Sequence, residues 1–424
     1  MPVSSKPLRF NLTAKNTTAM NISPFTRSFT QQEPIDKEAI AAAVEVLQSG
    51  RLHRYNTSAD ELSEAALLEK EFAHYQGARF CLACASGGYS LHIALRAAGL
   101  KPGERVLTNA FTLAPVPGAI VNAAGIPVFV ETTRNLTIDL RDLEEKILAS
   151  GARFILLSHM RGHMPDMDEL TGLLDAHGVT LIEDCAHTMG ARWQERKSGS
   201  FGLAGCFSTQ TYKHLNAGEG GLLTSDDPTF MARAILMSGS YMLYERHGAA
   251  PDQSVFARLK LDTPNLSGRM DNLRASILRP QLKQLDRNVV RWNSLYAVLA
   301  NRLKTIEALY LPVRPPAEYY VGSSIQFMIP SFAAPAARAF VAACAQLGVE
   351  LKWFGNDEPI GFTSTYKSWR YVDADTLPQT DEILGALFDM RIPLTFSAAD
   401  CEHIAAIVHK VLTDMGLVQE RTHG

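Results

Sequence analysis

Nowhere is this chain of 424 residues apolar over the roughly 18 to 20 consecutive positions that a membrane-spanning helix needs. Residues 1 to 32 lack a continuous apolar segment too, so a secretory signal is not expected. They carry Lys6, Arg9, Lys15 and Arg27 and no acidic residue, a faint likeness to a transit peptide. The simpler reading is a floppy polar lead-in. Neither sign of charge dominates: 41 Lys and Arg stand against 44 Asp and Glu, a net charge of −3. That gives no reason to expect nucleic acid or an anionic membrane surface as a partner. Cysteines are few, six in all. Cys81 and Cys84 form a CxxC inside an apolar stretch, and no second CxxC or HxxxH completes a zinc set around them. Small apolar residues in a reduced, cytoplasmic protein account for them. No GxGxxG follows the first strand, and there is no GxxxxGK or GxSxG.

With 46% hydrophobic and 20% charged residues, the chain can bury a large core. Its length suits one large domain with a smaller one. Residues 36–49 and 60–75 have helical periodicity. Short apolar strands then alternate with helices: ARFCLACAS, ERVLTNAF, IPVFVE, RFILLSH, VTLIEDCAH, GCFSTQTY and GLLTS. Such alternation predicts a mostly parallel sheet covered on both faces. A long helical region follows over about 270–304, with Pro280 expected to kink or break it. The last hundred residues mix a few strands with helices near 335–347 and 398–416. The expected division is a flexible extension at 1–32, a large domain at 33–285 and a small α+β domain at 286–424.

Ligands of such sheets collect at the carboxyl ends of the strands. Three features fall there. Ser86-Gly87-Gly88-Tyr89 is a glycine turn leading into a helix, a seat for a phosphate or mere turn geometry. The strand VTLI ends in Glu183-Asp184. A carboxylate at the rim can hold a cationic ring nitrogen, or simply cap the following turn. Lys213 follows a buried strand and precedes the glycine-rich Gly218-Glu219-Gly220-Gly221. Desolvated, or beside other cations, its amine becomes a nucleophile toward an aldehyde. Alone it reads as an ordinary loop lysine. Together the three supply every anchor that pyridoxal 5'-phosphate requires.

From about Gly77 to Asp227 the chain resembles the DegT/DnrJ/EryC1/StrS-type sugar aminotransferases, and more weakly so to the C-terminus. Glu183-Asp184-Cys185-Ala186-His187-Thr188-Met189-Gly190-Ala191 is similar to the family's E-D-A-A-H/Q-x-x-G-A. Phe207-Ser208 through Lys213, then Gly218 to Gly221, is similar to F-S-x-x-x-x-K and G-E-G-G. Ser86 to Leu91 is similar to S-G-T-x-A-L, and His159 to Asp168 to H-x-Y-G-x-x-x-D-M-D. The resemblance implies the aspartate-aminotransferase-like fold type I, an α/β fold with a mostly parallel central sheet flanked by helices and a smaller C-terminal α+β domain. It implies a pyridoxal-phosphate-dependent aminotransferase. Lys213 would carry the cofactor as a Schiff base and shuttle the proton. Asp184 would pair with the ring nitrogen, and His187 would lie by the ring's 3-hydroxyl side. Phe111 would stack on the ring. Gly87, Gly88, Tyr89 and Ser208 would seat the phosphate. The donor would be glutamate or glutamine, and the protein a homodimer with active sites at the interface.

The chain departs from the family pattern in places. Gly88 stands where the family has Thr. Ser267-Gly268-Arg269-Met270 keeps the Arg of N-Y/F-R-M but not the Asn that reaches the neighbouring subunit's phosphate. Leu351 to Asn356 replaces an H-Y-x-P-L-H-like stretch. His159, Arg269, Lys352 and Trp353 are therefore candidate substrate residues. Core packing is the competing reading for the aromatics. His159 and His163 could be a metal pair, but no third ligand is evident and no metal is expected. The acceptor would be a keto sugar, a cyclitol, or a related biosynthetic ketone or aldehyde. A lyase or dehydratase on the same fold is the alternative, although the sugar 3-dehydratase branch has histidine where this chain has Lys213. A non-catalytic paralogue is a further alternative, with loss of the lysine or the aspartate as its mark, and both are present.

Overall fold

The computed structural model describes residues 22–58 and 61–418. Its elements, in chain order, are α1 (Lys37–Ser49), α2 (Glu64–Gln76), β1 (Phe80–Cys84), α3 (Gly87–Ala97), β2 (Arg105–Asn109), α4 (Pro115–Asn122), β3 (Ile126–Val130), α5 (Leu140–Ser150), β4 (Phe154–Ser158), α6 (Met167–His177) and β5 (Thr180–Asp184). Then come the two-residue strands β6 (Arg192–Trp193) and β7 (Arg196–Lys197), and β8 (Ala204–Ser208), β9 (Gly221–Ser225), α7 (Pro228–Met237), α8 (Gln253–Ala257) and α9 (Asn272–Leu303). The rest is β10 (Glu318–Tyr319), β11 (Ser324–Met328), α10 (Ala334–Gln346), β12 (Lys352–Trp353), α11 (Pro378–Ala386), β13 (Leu387–Arg391) and α12 (Ala398–Asp414).

The seven apolar runs form one sheet in the order β1-β9-β8-β5-β4-β2-β3. Only β9 runs against the others. Strands such as Phe154–Ser158 and Ala204–Ser208 are buried along their whole length because helices cover both faces. All the parallel strands therefore end on one side, and Ser158, Asp184 and Ser208 are the last residues of three adjacent ones.

Helix α9 connects this layer to a second core. Its first part, with Leu278, Leu285 and Trp292, packs under the large sheet; Leu295, Leu299 and Leu303 pack in the core of the small sheet β11-β13-β12. The helix continues through the buried Pro280, so the break expected there does not occur.

The lead-in expected to be floppy lies outside the described residues up to position 21, and from 22 onward it is corrected. Phe25 and Phe29 are buried and pack edge-on against Phe396, with ring centroids 5.2 and 5.1 Å apart, because the small-sheet core offers aromatic partners. The sequence pattern also missed the hairpin β6–β7, whose two-residue strands are too short for a periodicity.

One buried ionic cluster ties α2 to the sheet. Glu69 receives both terminal nitrogens of Arg54 at 2.8 Å, the N–H of Ala83 at 2.9 Å, and lies 3.2 Å from His247 Nδ1. Burial alone would raise its pKa, but Arg54 and His247 hold it well below the usual carboxylate range. Glu69→Ala would leave the Arg54 charge buried and unpaired, an expected loss of about 3–5 kcal/mol. A thermal unfolding midpoint that stays unchanged would show that Arg54 finds another partner.

Candidate active site

A cavity of about 510 Å³ opens at the carboxyl ends of the central strands, lined by Gly87, Gly88, Ser208, His187, Lys213 and Arg391 among others. A narrower one beside it reaches Ser158 and Asp184 and shares Gly87, His187 and Lys213. Each feature predicted at a strand end therefore meets the others here.

Lys213 is delivered by the loop between β8 and β9. That loop is pinned by the N–H of Thr209 to Gly220 O at 2.9 Å and by the N–H of Lys213 to Gln210 O at 2.8 Å. The glycines are needed for close approach. A Cβ on Gly220 would sit 2.2 Å from Thr209 Oγ1, and one on Gly221 would sit 2.3 Å from the Ser86 carbonyl oxygen. Side chains there would push the lysine loop away from the Ser86–Gly87 turn.

The Lys213 amine lies 2.8 Å from His187 Nε2. Desolvation lowers its pKa from 10.5 to about 7; Asp184 opposes this, while Arg161, Arg391 and Lys352 add to it. His187 is pushed well below its ordinary value, first by burial and then by Lys213 and Arg161. A neutral imidazole can accept a hydrogen bond from the amine, as its position requires.

Asp184 and Glu183 project to opposite faces of β5, and their fates differ. Asp184 ends opposite Ser158 in the parallel register, and Ser158 Oγ donates to its Oδ2 at 2.9 Å. The N–H of Ala186 donates to Oδ1 at 3.1 Å. Glu183 instead receives the N–H groups of Gly199, Phe201 and Gly202 and contacts His159 Nε2 at 3.0 Å. It organises the loop after β7, away from the cavity.

Helix α3 starts at the cavity. Ser86 caps it by accepting the N–H of Tyr89 at 3.1 Å. That consumes the Tyr89 donor, while Gly87 and Gly88 line the cavity with N–H groups that have no acceptor within the helix. Ser208 is so close to Gly87 that a Cβ on the latter would meet Ser208 Cβ at 2.7 Å. Two open amides, a hydroxyl and the positive end of the helix dipole make an anion cradle. A cofactor with an aldehyde, a basic ring nitrogen and a phosphate thus finds a complement for each part in Lys213, Asp184 and this cradle.

Several predicted residues lie elsewhere. The Phe111 ring does not line the cavity; Asn109 Nδ2 holds the Phe111 carbonyl at 2.7 Å, and the ring packs on Phe354, centroids 5.3 Å apart. Leu113 and Pro115 of the same loop line the cavity in its place. The Tyr89 side chain turns onto Gly268, its hydroxyl 3.3 Å from Met237 O. His159 is buried on Glu183 and does not line the Lys213 cavity. Potential ligand atoms of His159, Glu183 and Cys185 lie within 4.8 Å of one another, yet Glu183 is already occupied by backbone donors. His163 does not join His159 but bonds Gln326 Oε1 at 2.8 Å. Arg269 is held by Gly239 O at 2.9 Å and stacks over Tyr241, so it does not reach the cavity of its own chain. Trp353 belongs to the small-sheet core, its indole N–H on Gly385 O at 2.8 Å. Lys352, next to it, points to the opposite face of β12, among the charges around Lys213. Sequence reasoning missed Ser158, Arg161 and Arg391. For Arg161 a signal existed, since it occupies the Tyr position of H-x-Y-G.

A profile of the DegT/DnrJ/EryC1/StrS aminotransferase family matches residues 33–410. The L-glutamine:2-deoxy-scyllo-inosose aminotransferase of Streptomyces lividus is 31% identical over 254 residues, 58% of this chain and 58% of that protein. The chain spans about three-fifths of the length of the curated relatives it matches. A crystal structure of 3-amino-5-hydroxybenzoic acid synthase superposes with a TM-score of 0.78 at 23% identity, covering 92% of this chain and all of that one. GDP-4-keto-6-deoxymannose-3-dehydratase, solved with a trapped PLP–glutamate geminal diamine, also reaches 0.78 at 18% identity, covering 90% and 100%. These likenesses show the fold-type-I architecture, which a synthase and a dehydratase share.

In the cofactor-free protein, capture of a small aromatic aldehyde at Lys213 should rise with pH through a midpoint near 7 rather than 10.5. Asp184→Asn removes the one anion that favours the charged amine, so the midpoint should fall further. Reductive trapping and peptide mapping across pH measures both; a midpoint near that of free lysine would contradict the assigned environment.

Proposed function

The chain belongs to the DegT/DnrJ/EryC1/StrS aminotransferase family, and from that premise we propose that it is a pyridoxal 5'-phosphate-dependent aminotransferase. It takes an amino group from an amino-acid donor, glutamate or glutamine, and gives it to a keto sugar, a cyclitol or a related biosynthetic ketone or aldehyde. The observation that carries this reading is the convergence of a low-pKa lysine, a rim carboxylate and an anion cradle on one cavity.

When bound, the cofactor supplies an electron sink that makes the substrate's α-proton removable. The protein's share of the work is positioning and proton transfer. Lys213 Nζ would hold the cofactor covalently and, once displaced by the donor's amine, remove and return the proton. A pKa of about 7 leaves a useful fraction of this amine neutral near neutral pH, which an ordinary lysine would not. His187 Nε2 orients the amine from 2.8 Å. Asp184, fixed by Ser158 and the Ala186 N–H, would face the ring nitrogen and hold its proton. Gly87, Gly88 and Ser208 would hold the phosphate.

Lys213 also weighs against the dehydratase alternative, since the sugar 3-dehydratase branch carries histidine at that position. A homodimer belongs to the same proposal. The segment around Arg269 exposes Tyr241, Met242, Leu261 and Leu266, an apolar surface that a second copy would cover. So does a cytoplasmic location. The six cysteines are unpaired and buried, as in a reducing compartment, and no helix among the described residues is long and apolar enough to cross a membrane.

Two outcomes test the reading. The purified protein with its cofactor should be yellow, and glutamate or glutamine should bleach it as the cofactor passes to its amine form; colour that persists with every common amino acid would contradict transamination. Gly88→Thr should slow cofactor loss on dialysis, because the added Cβ meets only Pro115 Cβ at 3.7 Å and the side chain brings a further hydroxyl to the cradle's edge. Faster loss would show that this position does not face the phosphate.

A further inference from the structure

A second, smaller cavity of about 100 Å³ also reaches Lys213, and cofactor anchoring does not use it. Lys213 is the one residue that it shares with the two cavities at the strand ends, so this side chain stands between a front and a rear space. Gln281, Gln284 and Asn288 of α9 line the rear cavity, and the N-terminal segment adds Gln32, Glu33 and Asp36. A neck of about 30 Å³ joins the two spaces. It is lined by Gln32, His214 and Trp292 from the rear, by His187 and Arg391 from the front, and by Lys213 itself.

The sequence makes the rear cavity polar. Helix α9 gives Leu278, Leu282, Leu285 and Val289 to the apolar core. Gln281, Gln284 and Asn288, spaced by three and four, form a separate stripe. Their amides are held apart by partners instead of packing together. Gln281 Oε1 accepts the Asn216 N–H at 2.9 Å, and its Nε2 donates to Asn216 O at 2.8 Å. Gln284 Nε2 donates to Asp36 Oδ2 at 2.9 Å.

His214, only 6% exposed, lines both the rear cavity and the neck. Its Nε2 lies 3.0 Å from Ser323 Oγ, and its ring packs edge-on against Trp292 with centroids 5.2 Å apart. Its Nδ1 is buried with no hydrogen-bond partner among the described residues. Burial, and then Lys213, push its pKa down to about 3, so the ring is neutral and one of its nitrogens accepts. An unpaired ring nitrogen on a polar cavity is a place for water. The cavity has room for several molecules and the neck for one.

The proposed reaction needs water at this point. With the cofactor held on Lys213, departure of the donor's skeleton as a keto acid breaks the bond to Lys213 and consumes one water. The oxygen becomes the keto oxygen, the two hydrogens account for those of the freed Lys213 amine, and the donor's α-hydrogen passes to the cofactor. Amination of the acceptor returns one water. Cofactor and substrate share the front cavity at these stages, and the neck is the side of Lys213 that they leave free.

We infer that the rear cavity is a water store, anchored on His214 Nδ1, which supplies through the neck the water consumed at Lys213 and takes up the water returned. The inference rests on the aminotransferase reading and adds a route to it.

The test compares the cofactor-loaded protein with Gln32→Trp, which adds bulk to the walls of cavity and neck, and His214→Phe, which keeps a ring on Trp292 and removes the nitrogen. Both variants should load cofactor. On mixing with glutamate in a single turnover, the yellow colour should fade at the unaltered rate. Release of 2-oxoglutarate, followed by quenched flow, should be roughly tenfold slower. A merely structural defect would slow both events together. Should His214→Phe fail to load cofactor, Gln32→Trp carries the kinetic test alone. A high-resolution crystal structure of the unaltered protein should show ordered water on His214 Nδ1 and in the neck. Three results overturn the inference: keto-acid release unmoved in the variants, fading and release slowed by the same factor, or a dry rear cavity. If no amino acid bleaches the unaltered protein yet water fills the neck, the store stands and the aminotransferase reading fails.

Discussion

The site depends on one unfavourable placement, a lysine amine taken out of water into a cavity with more positive than negative charge. Desolvation is the largest cause of the fall in the Lys213 pKa to about 7, and Arg161, Arg391 and Lys352 deepen it against the pull of Asp184. The amine then spends much of its time neutral near pH 7, the condition for a lysine to attack an aldehyde and to move protons. A solvated loop lysine at the same sequence position would meet neither requirement.

Much of the surrounding architecture serves that placement. The parallel strands put Ser158, Asp184 and Ser208 at one edge, and the reversed β9 brings the glycine loop back against the Ser86 turn. Glu183 shows how finely the strand partitions its two carboxylates. It satisfies a structural loop on one face, while Asp184 on the other remains partly open to the cavity. The small sheet adds Arg391 and Lys352, whose charges help to set the amine's basicity.

The seven strands and most helices were legible because buried strands and amphipathic helices leave periodic marks in the sequence. Lys213, Asp184, Gly87 and Gly88 were legible because each follows an apolar run closely, His187 and Ser208 only through the family resemblance, and the cavity brings all six together. Residues whose role depends on direction were not. Phe111 and Tyr89 sit in the right segments, but local contacts turn their rings away, and spacing alone carries no such information. His159 and Arg269 find partners remote in sequence, Glu183 and Gly239. Trp353 and Lys352 are neighbours on a strand, so at most one of them could face the cavity. Arg391, over 170 positions from Lys213, reaches the site only through the packing of the two sheets.

The central claim is that the Lys213 amine is the group that holds the cofactor. Borohydride reduction of the yellow protein, followed by proteolysis and mass spectrometry, tests it most directly. The account predicts one pyridoxyl-phosphate adduct, on the peptide containing Lys213, and none in Lys213→Ala. An adduct on another lysine, or no adduct in a protein that stays yellow before reduction, would contradict it.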